Sequence, residues 1–295
     1  MTATDALLER AIAGEPLSPA DIDAIHRTGD VLALGMAADE VRRRRHGART
    51  TFARVQVVPI ETVSDQLTLA PAAGEIRVTG ALSDLDRAVS AIGLLAARVE
   101  GRVPVHGFSL ADVAAVAGTD IGRATGVLSA LRTAGLERIA DAPLDSPSIE
   151  PLIESALRAG LGIARATVDR APAEARVALL DRAARILRSH REIIAFAPLP
   201  RRSGVHPSTG FEDVRLVALT RLLVEVPHVQ VDWQLYGPKL AQVALTFGAD
   251  DVDGVSPVDE APEGKRRSPL AEIRRNIVAA SGEPVERDGR FVPRT

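Results

Sequence analysis

The 295 residues contain no cysteine. A disulfide, a thiolate nucleophile and a cysteine-held metal cluster are therefore excluded within them. No apolar run approaches the ~18 residues that span a bilayer, and no basic segment followed by an apolar stretch opens the chain as a signal peptide would. These absences predict a cytoplasmic protein that does not meet the membrane. Charge of one sign is also missing. A formal net charge of −3 gives no electrostatic case for nucleic acid or an anionic bilayer, and the basic run Arg42 to Arg45 reads as the solvated face of a helix end. Glycines do not assemble into GxGxxG or a P-loop, and there is no GxSxG. No Pro/Gly/Ser-rich linker or low-complexity segment divides the chain.

What is present is an ordinary globular balance, 46% hydrophobic and 25% charged, and a long alternation of strand and helix signals. Three helical segments come first: Asp5 to Ala13, a second opened by Ser18 as N-cap with Pro19 in the first helical position, and Val31 to Arg45. Strands are predicted at Arg54–Ile60, Glu75–Thr79, Arg102–His106, Leu136–Ala140, Leu161–Thr167, Glu192–Ala197, His228–Trp233 and Val252–Val255, with helical segments between them from the second strand onward. Alternating strands and helices imply a parallel sheet, and about eight repeats in ~250 residues favour a closed barrel over an open sheet. The expected fold is an α/β, (β/α)8 TIM-type barrel in one domain. Residues 1–50 form a helical extension, 54–255 the barrel, and 256–295 a tail with a last helix at Pro269–Ala280.

The carboxy-terminal third carries motifs in a recognisable order. Phe196-Ala-Pro-Leu-Pro200 is followed by Gly204-Val-His-Pro-Ser208, then Val226-Pro-His228, then Asp232-Trp-Gln-Leu-Tyr-Gly-Pro-Lys239. Ala244-Leu-Thr-Phe-Gly-Ala-Asp-Asp-Val-Asp-Gly254 and Ala280-Ser-Gly-Glu-Pro-Val-Glu-Arg-Asp288 complete the series. Over about a hundred residues this resembles the radical-SAM family of aminofutalosine synthase, dehypoxanthine-futalosine cyclase and FO synthase, the enzymes of menaquinone and deazaflavin biosynthesis. Looser agreement at Leu131-Arg-Thr-Ala-Gly-Leu136 and in the first three helices extends the likeness toward the amino terminus.

The departure from that family is as informative as the match. The family's first strand leads into a C-x-x-x-C-x-x-C loop whose thiolates hold an iron–sulfur cluster, and such clusters need soft sulfur donors. Here only Glu61 to Gly74 separates the first two strands, so the loop and its helix are deleted and the first βα unit is shortened. Gly80-Ala81-Leu82 stands where the family has a paired-glycine turn for the SAM amine, and Ala81 in place of the second glycine argues against SAM binding. The resemblance thus implies a radical-SAM-like barrel with no iron–sulfur cluster and no expected cofactor.

Functional side chains of a parallel barrel gather at the carboxy-terminal ends of its strands. His106, read as ending the third strand, is a candidate acid or base, or equally a capping histidine. Arg165 and Asp169 flank the fifth strand; an Arg fork suits a carboxylated or ribosylated ligand, while the blander reading is a rim ion pair. Arg201, Arg202 and His206 share a loop suited to an anion, or simply solvated, and His206 is also a catalytic candidate as acid or base. Trp233 can stack on a planar ring and Gln234 adjoins it, although a lone Trp is more often core. Asp250, Asp251 and Asp253 form an acidic cluster. It lacks the Gly and Glu of an EF-hand loop, so no metal is expected there; Asp251 is a catalytic candidate, and Asp250 and Asp253 are substrate-orienting candidates. Glu75 opens its strand and reads as structural.

Two functions compete. One is a retired barrel, a non-catalytic partner of a cysteine-bearing paralogue (or a homo-oligomer) or a metabolite-binding protein in the futalosine pathway. The other is a repurposed enzyme doing non-radical chemistry on a small anionic or ribosylated substrate.

Overall fold

Residues 3–170, 172, 175–202, 208–260 and 269–294 are described by the structure, a computed structural model. In chain order the elements are α1 (Ala3–Ala13), α2 (Pro19–Arg27), α3 (Val31–His46), β1 (Arg49–Pro59), a 3-10 turn (Ile60–Thr62), β2 (Glu75–Thr79), α4 (Leu85–Val99), β3 (Val105–Ser109), α5 (Leu110–Ala117), α6 (Ile121–Thr133), β4 (Arg138–Pro143), α7 (Ile149–Arg158), β5 (Gly162–Val168), α8 (Arg176–Ser189), β6 (Ala195–Pro200), α9 (Gly210–Leu223), β7 (His228–Asp232), α10 (Trp233–Thr246), β8 (Asp251–Val255), α11 (Leu270–Ala279) and β9 (Glu283–Arg287). The sheet order is β2-β3-β4-β5-β6-β7-β8-β1-β9, and β1 pairs also with β2. The pairs β1–β2, β2–β3, β3–β4, β4–β5 and β6–β7 are parallel. No described helix is long and apolar enough to cross a membrane.

Local chemistry explains where elements start. Ser18 caps α2, accepting from the Asp21 amide while Asp21 reaches back to the Ser18 amide, with Pro19 in the first turn. The same reciprocal box opens α5 with Ser109 and Asp112 and α9 with Thr209 and Glu212. Helix α10 begins at Trp233, capped by Asp232, and bends at Gly237 (φ 76°) ahead of Pro238. Glycine supplies the positive φ and proline withholds its N–H, so the kink needs both.

Contacts divide the chain into two compact units: Met1–Thr51 with Val168–Val252 and Leu270–Val285, and Phe52–Thr167 with Asp253–Pro269 and Glu286–Thr295. In the first, α3 packs on α9, and Gly35 leaves room for the Phe247 ring, which a β-carbon would meet at 2.6 Å. In the second, Ile76 and Val78 of β2, Ile92 and Leu95 of α4, and Leu128 and Leu131 of α6 are buried. β2 is buried from residue 75 to 78, as expected of parallel strands covered on both faces.

The first crossover is the anomaly that the sequence predicts. Val55 to Pro59 of β1 lie in parallel register with Glu75 to Thr79. Parallel neighbours need a connection of about a dozen residues or more, usually a helix. Residues 60–74 supply only the 3-10 turn and a loop. That loop is anchored by polar contacts: Gln56 donates to the Thr68 carbonyl and accepts from the Ala70 amide, and Arg98 and Arg294 hold the Ser64 and Ala72 carbonyls.

Candidate functional site

The second unit contains a buried ionic network on its strands. Glu75 and Arg77 are two residues apart on β2 and so share a face. Arg77 Nε donates to Glu75 Oε1 at 2.6 Å, and its two terminal nitrogens clamp Asp253 on β8 at 2.8 and 3.0 Å. Arg165 on β5 also binds Asp253, and its Nε donates to Asp141 on β4 at 2.7 Å. His106 is fully buried, with Nδ1 3.4 Å from Glu75 Oε1. The ring nitrogens of His106 and one terminal nitrogen of Arg165 make no hydrogen bond.

Burial by itself raises the pKa of Asp253; the Arg165 and Arg77 guanidiniums outweigh it and hold the carboxyl well below the usual carboxylate range. Glu75 follows the same balance, with Arg77 and His106 overcoming burial. A depressed folded-state pKa gives stability that is present above the unfolded value near 4 and is lost as pH falls through the folded one. We therefore expect the urea midpoint to fall below about pH 4, with these two carboxylates contributing up to about 1.4 kcal/mol per pH unit each. Asp253→Asn should flatten that acid limb. An unchanged limb would show that these carboxylates carry no such linkage.

The positions correct several expectations. His106 does not end its strand. It is the second residue of β3, because Pro104 has no N–H for the ladder and the strand starts after it. Arg165 is not on a rim but inside β5 and buried. The three aspartates do not share a site. Asp253 belongs to the Arg77–Arg165 network, whereas Asp251 accepts from Gln230 Nε2 at 2.6 Å and from the Thr51 hydroxyl. Asp250 precedes β8 and accepts from Arg221 and from the Val229 amide at 2.9 Å, with His228 Nδ1 2.6 Å away. Its carboxyl sits at about 2, since Arg221 and His228 overcome the upward push of burial.

The other candidates do assemble after β5, β6 and β7 in the first unit. Arg202 pairs with Asp169 at 3.1 Å, and Arg201 approaches Asp232 at 3.9 Å. Trp233 is buried and Gln234 partly exposed in the first turn of α10. His206 lies outside the described residues. Sequence reasoning missed Arg77, Asp141, His46 and His228. The Glu75–Arg77 spacing within a β-branched strand was a legible sign of a paired face; the others required strand register.

Gly80 has φ +131°, and a β-carbon there would meet the Ile60 side chain at 2.5 Å and Glu61 Oε1 at 3.4 Å. Arg87 reaches the Glu61 carbonyl at 3.3 Å. The shortened connection therefore rests directly on the glycine turn after β2.

Among solved structures the chain is similar to methylornithine synthase, with a TM-score of 0.66 and 15% identity over 94% of this chain and 97% of that one. The FeFe-hydrogenase maturase of Carboxydothermus hydrogenoformans gives 0.63 and 15% identity over 96% and 79%. These likenesses establish the fold: a closed eight-stranded parallel barrel of radical-SAM type with extra amino-terminal helices. By sequence, the chain is 39% identical over 94 residues to 5-amino-6-(D-ribitylamino)uracil--L-tyrosine 4-hydroxyphenyl transferase 2 of Methanosarcina mazei, covering 29% of this chain and 24% of that protein. It is 36% identical over 94 residues to aminodeoxyfutalosine synthase of Thermus thermophilus, covering 28% and 24%. The chain spans about a quarter of the length of the curated relatives it matches. No family model matches it. By fold the chain is radical-SAM-like, it is similar to these synthases over about 94 residues, and it contains no cysteine.

Proposed function

We propose that this chain is a cluster-free companion of the futalosine-type synthases, a non-catalytic partner or metabolite-binding protein that performs no reductive SAM chemistry. One observation carries the reading. The stretch that would have to present three thiolates is reduced to residues 60–74, has no cysteine, and packs Ile60 and Glu61 onto Gly80. The charged groups on the strands of the second unit are also committed to one another, which suits a barrel held together by its ion pairs better than one exposing an acid–base pair. Arg201 and Arg202, near Asp232 and Asp169, favour a second reading, in which the strand ends of the first unit bind a small anionic or ribosylated substrate for non-radical chemistry.

The test uses the untagged chain, reconstituted with iron and sulfide under reducing conditions and supplied with SAM. We expect no 5′-deoxyadenosine above an iron-free control, and co-elution in size-exclusion chromatography with the cysteine-bearing, futalosine-type synthase of the same organism. Deoxyadenosine formation would overturn the cluster-free reading. Separate elution, together with no metabolite retained in native mass spectrometry, would overturn the companion reading.

A further inference from the structure

We propose that His46, His228 and Asp250 form a binding site for a divalent transition-metal ion of the zinc class, acting as a staple in the first unit. His46 is the last residue of α3, His228 the first of β7, and Asp250 directly precedes β8. One ligating atom from each lies within 4.8 Å of the other two. His228 Nδ1 stands 2.6 Å and His46 Nε2 3.5 Å from the same oxygen, Asp250 Oδ2. Tetrahedral zinc bound at ~2.0–2.2 Å places its donors about 3.3–3.6 Å apart. His46 Nε2 already stands at that spacing from Oδ2, and His228 Nδ1 would open by about 1 Å to reach it.

The surroundings are those of a supported ligand set. Asp250 Oδ1 accepts from the Val229 amide at 2.9 Å and from Arg221, so the carboxylate is fixed with Oδ2 turned toward the imidazoles. Ligating carboxylates ordinarily carry such outer hydrogen bonds. The imidazoles stack with centroids 5.1 Å apart and 27° between their planes. His46 Nε2 is 2.9 Å from the Pro227 carbonyl, a contact that metal binding would exchange for a coordinate bond. The histidine side chains are 17% and 18% exposed, so the two imidazoles are reached from solvent. Neutral nitrogen donors with one carboxylate suit zinc, cobalt or nickel rather than calcium or magnesium. Arg221 works against the ion through its charge, which tempers the affinity but leaves Oδ2 available. Position argues for a structural role, since His228 and Asp250 sit at the amino ends of β7 and β8, where barrels invest in stability rather than chemistry, and His46 closes α3 beside them.

The experiment uses the untagged, chelator-stripped chain. Cobalt(II) titration should give visible bands of the intensity of four-coordinate cobalt, saturating near one equivalent, and equilibrium dialysis should retain about one zinc per chain. Zinc at about a hundredfold excess over its Kd should raise Tm by at least about 3 °C. His46→Gln and His228→Gln should each weaken binding by about tenfold or more, while His190→Gln, just past the end of α8 with its ring beside Glu192, should leave it unchanged. Failure of the unmodified chain to retain zinc, or equal retention by the folded His46→Gln and His228→Gln variants, would overturn the proposal.

Discussion

Replacing Asp253 with alanine lowers the unfolding free energy by about 3–5 kcal/mol, the expected cost of removing one partner from a buried ion-pair network. Asp253 is 1% exposed and is bound by two buried guanidiniums, Arg77 through a two-pronged clamp and Arg165. Neither arginine can shed its charge by deprotonation at any ordinary pH. With the carboxylate gone, Arg77 keeps Glu75 and Arg165 keeps Asp141, so two cations would share two anions with His106 between β2 and β4 in the sheet order. Asp253→Asn should lose less, because it preserves shape and part of the hydrogen bonding. Replacing the arginines and Asp253 together by apolar residues of similar volume should recover much of the loss, since buried ion pairs often gain little over good apolar packing. Urea unfolding monitored by far-UV circular dichroism reads all three variants. A loss under about 1 kcal/mol for Asp253→Ala would mean that water reaches the network.

The second large effect is expected at Gly248, inside the Phe-Gly-Ala-Asp segment that carries much of the family likeness. Its φ is +102°, and a β-carbon would meet Arg221 Cβ at 2.9 Å and Ala38 Cβ at 3.0 Å. A β-branched residue there combines a forbidden backbone region with overpacking between α3 and α9. Gly248→Val should cost about 2–5 kcal/mol, the sum of about 1–2 for the backbone and about 1–3 for the packing. Gly118→Ala separates the two contributions, because its φ is +62° with nothing within 4 Å of the added carbon. It should cost only the backbone share. Thermal denaturation of both variants checks this; equal shifts in Tm would show that close approach at Gly248 is unimportant.

These two positions also show what the recognisable motif does in this chain. Phe247 fills the space left by Gly35, Gly248 admits Arg221 and Ala38, and Asp250 receives Arg221 and the start of β7. The segment serves here as packing and ion pairing.

Much of the architecture was legible beforehand. The β-branched runs at Arg54–Ile60, Glu75–Thr79 and His228–Trp233 located β1, β2 and β7, and Ser18-Pro19 placed the start of α2, because caps and strand propensity act within a few residues of chain. β9 was not legible. Glu283–Arg287 is short and polar and becomes a strand only beside β1. The site was less legible still. Composition alone determined that no three-thiolate cluster can be built within these residues, since an absent element needs no geometry. Sequence spacing gave the shortened first crossover for the same reason. Only the tertiary structure decided that Asp250, Asp251 and Asp253, nearly contiguous in the chain, serve three separate sets of partners. The physical cause is position along the strand: Asp251 and Asp253, two residues apart, share a face of β8 at different levels, Asp250 lies just before the strand, and tertiary packing then chooses which distant arginine, histidine, glutamine or hydroxyl each carboxylate meets.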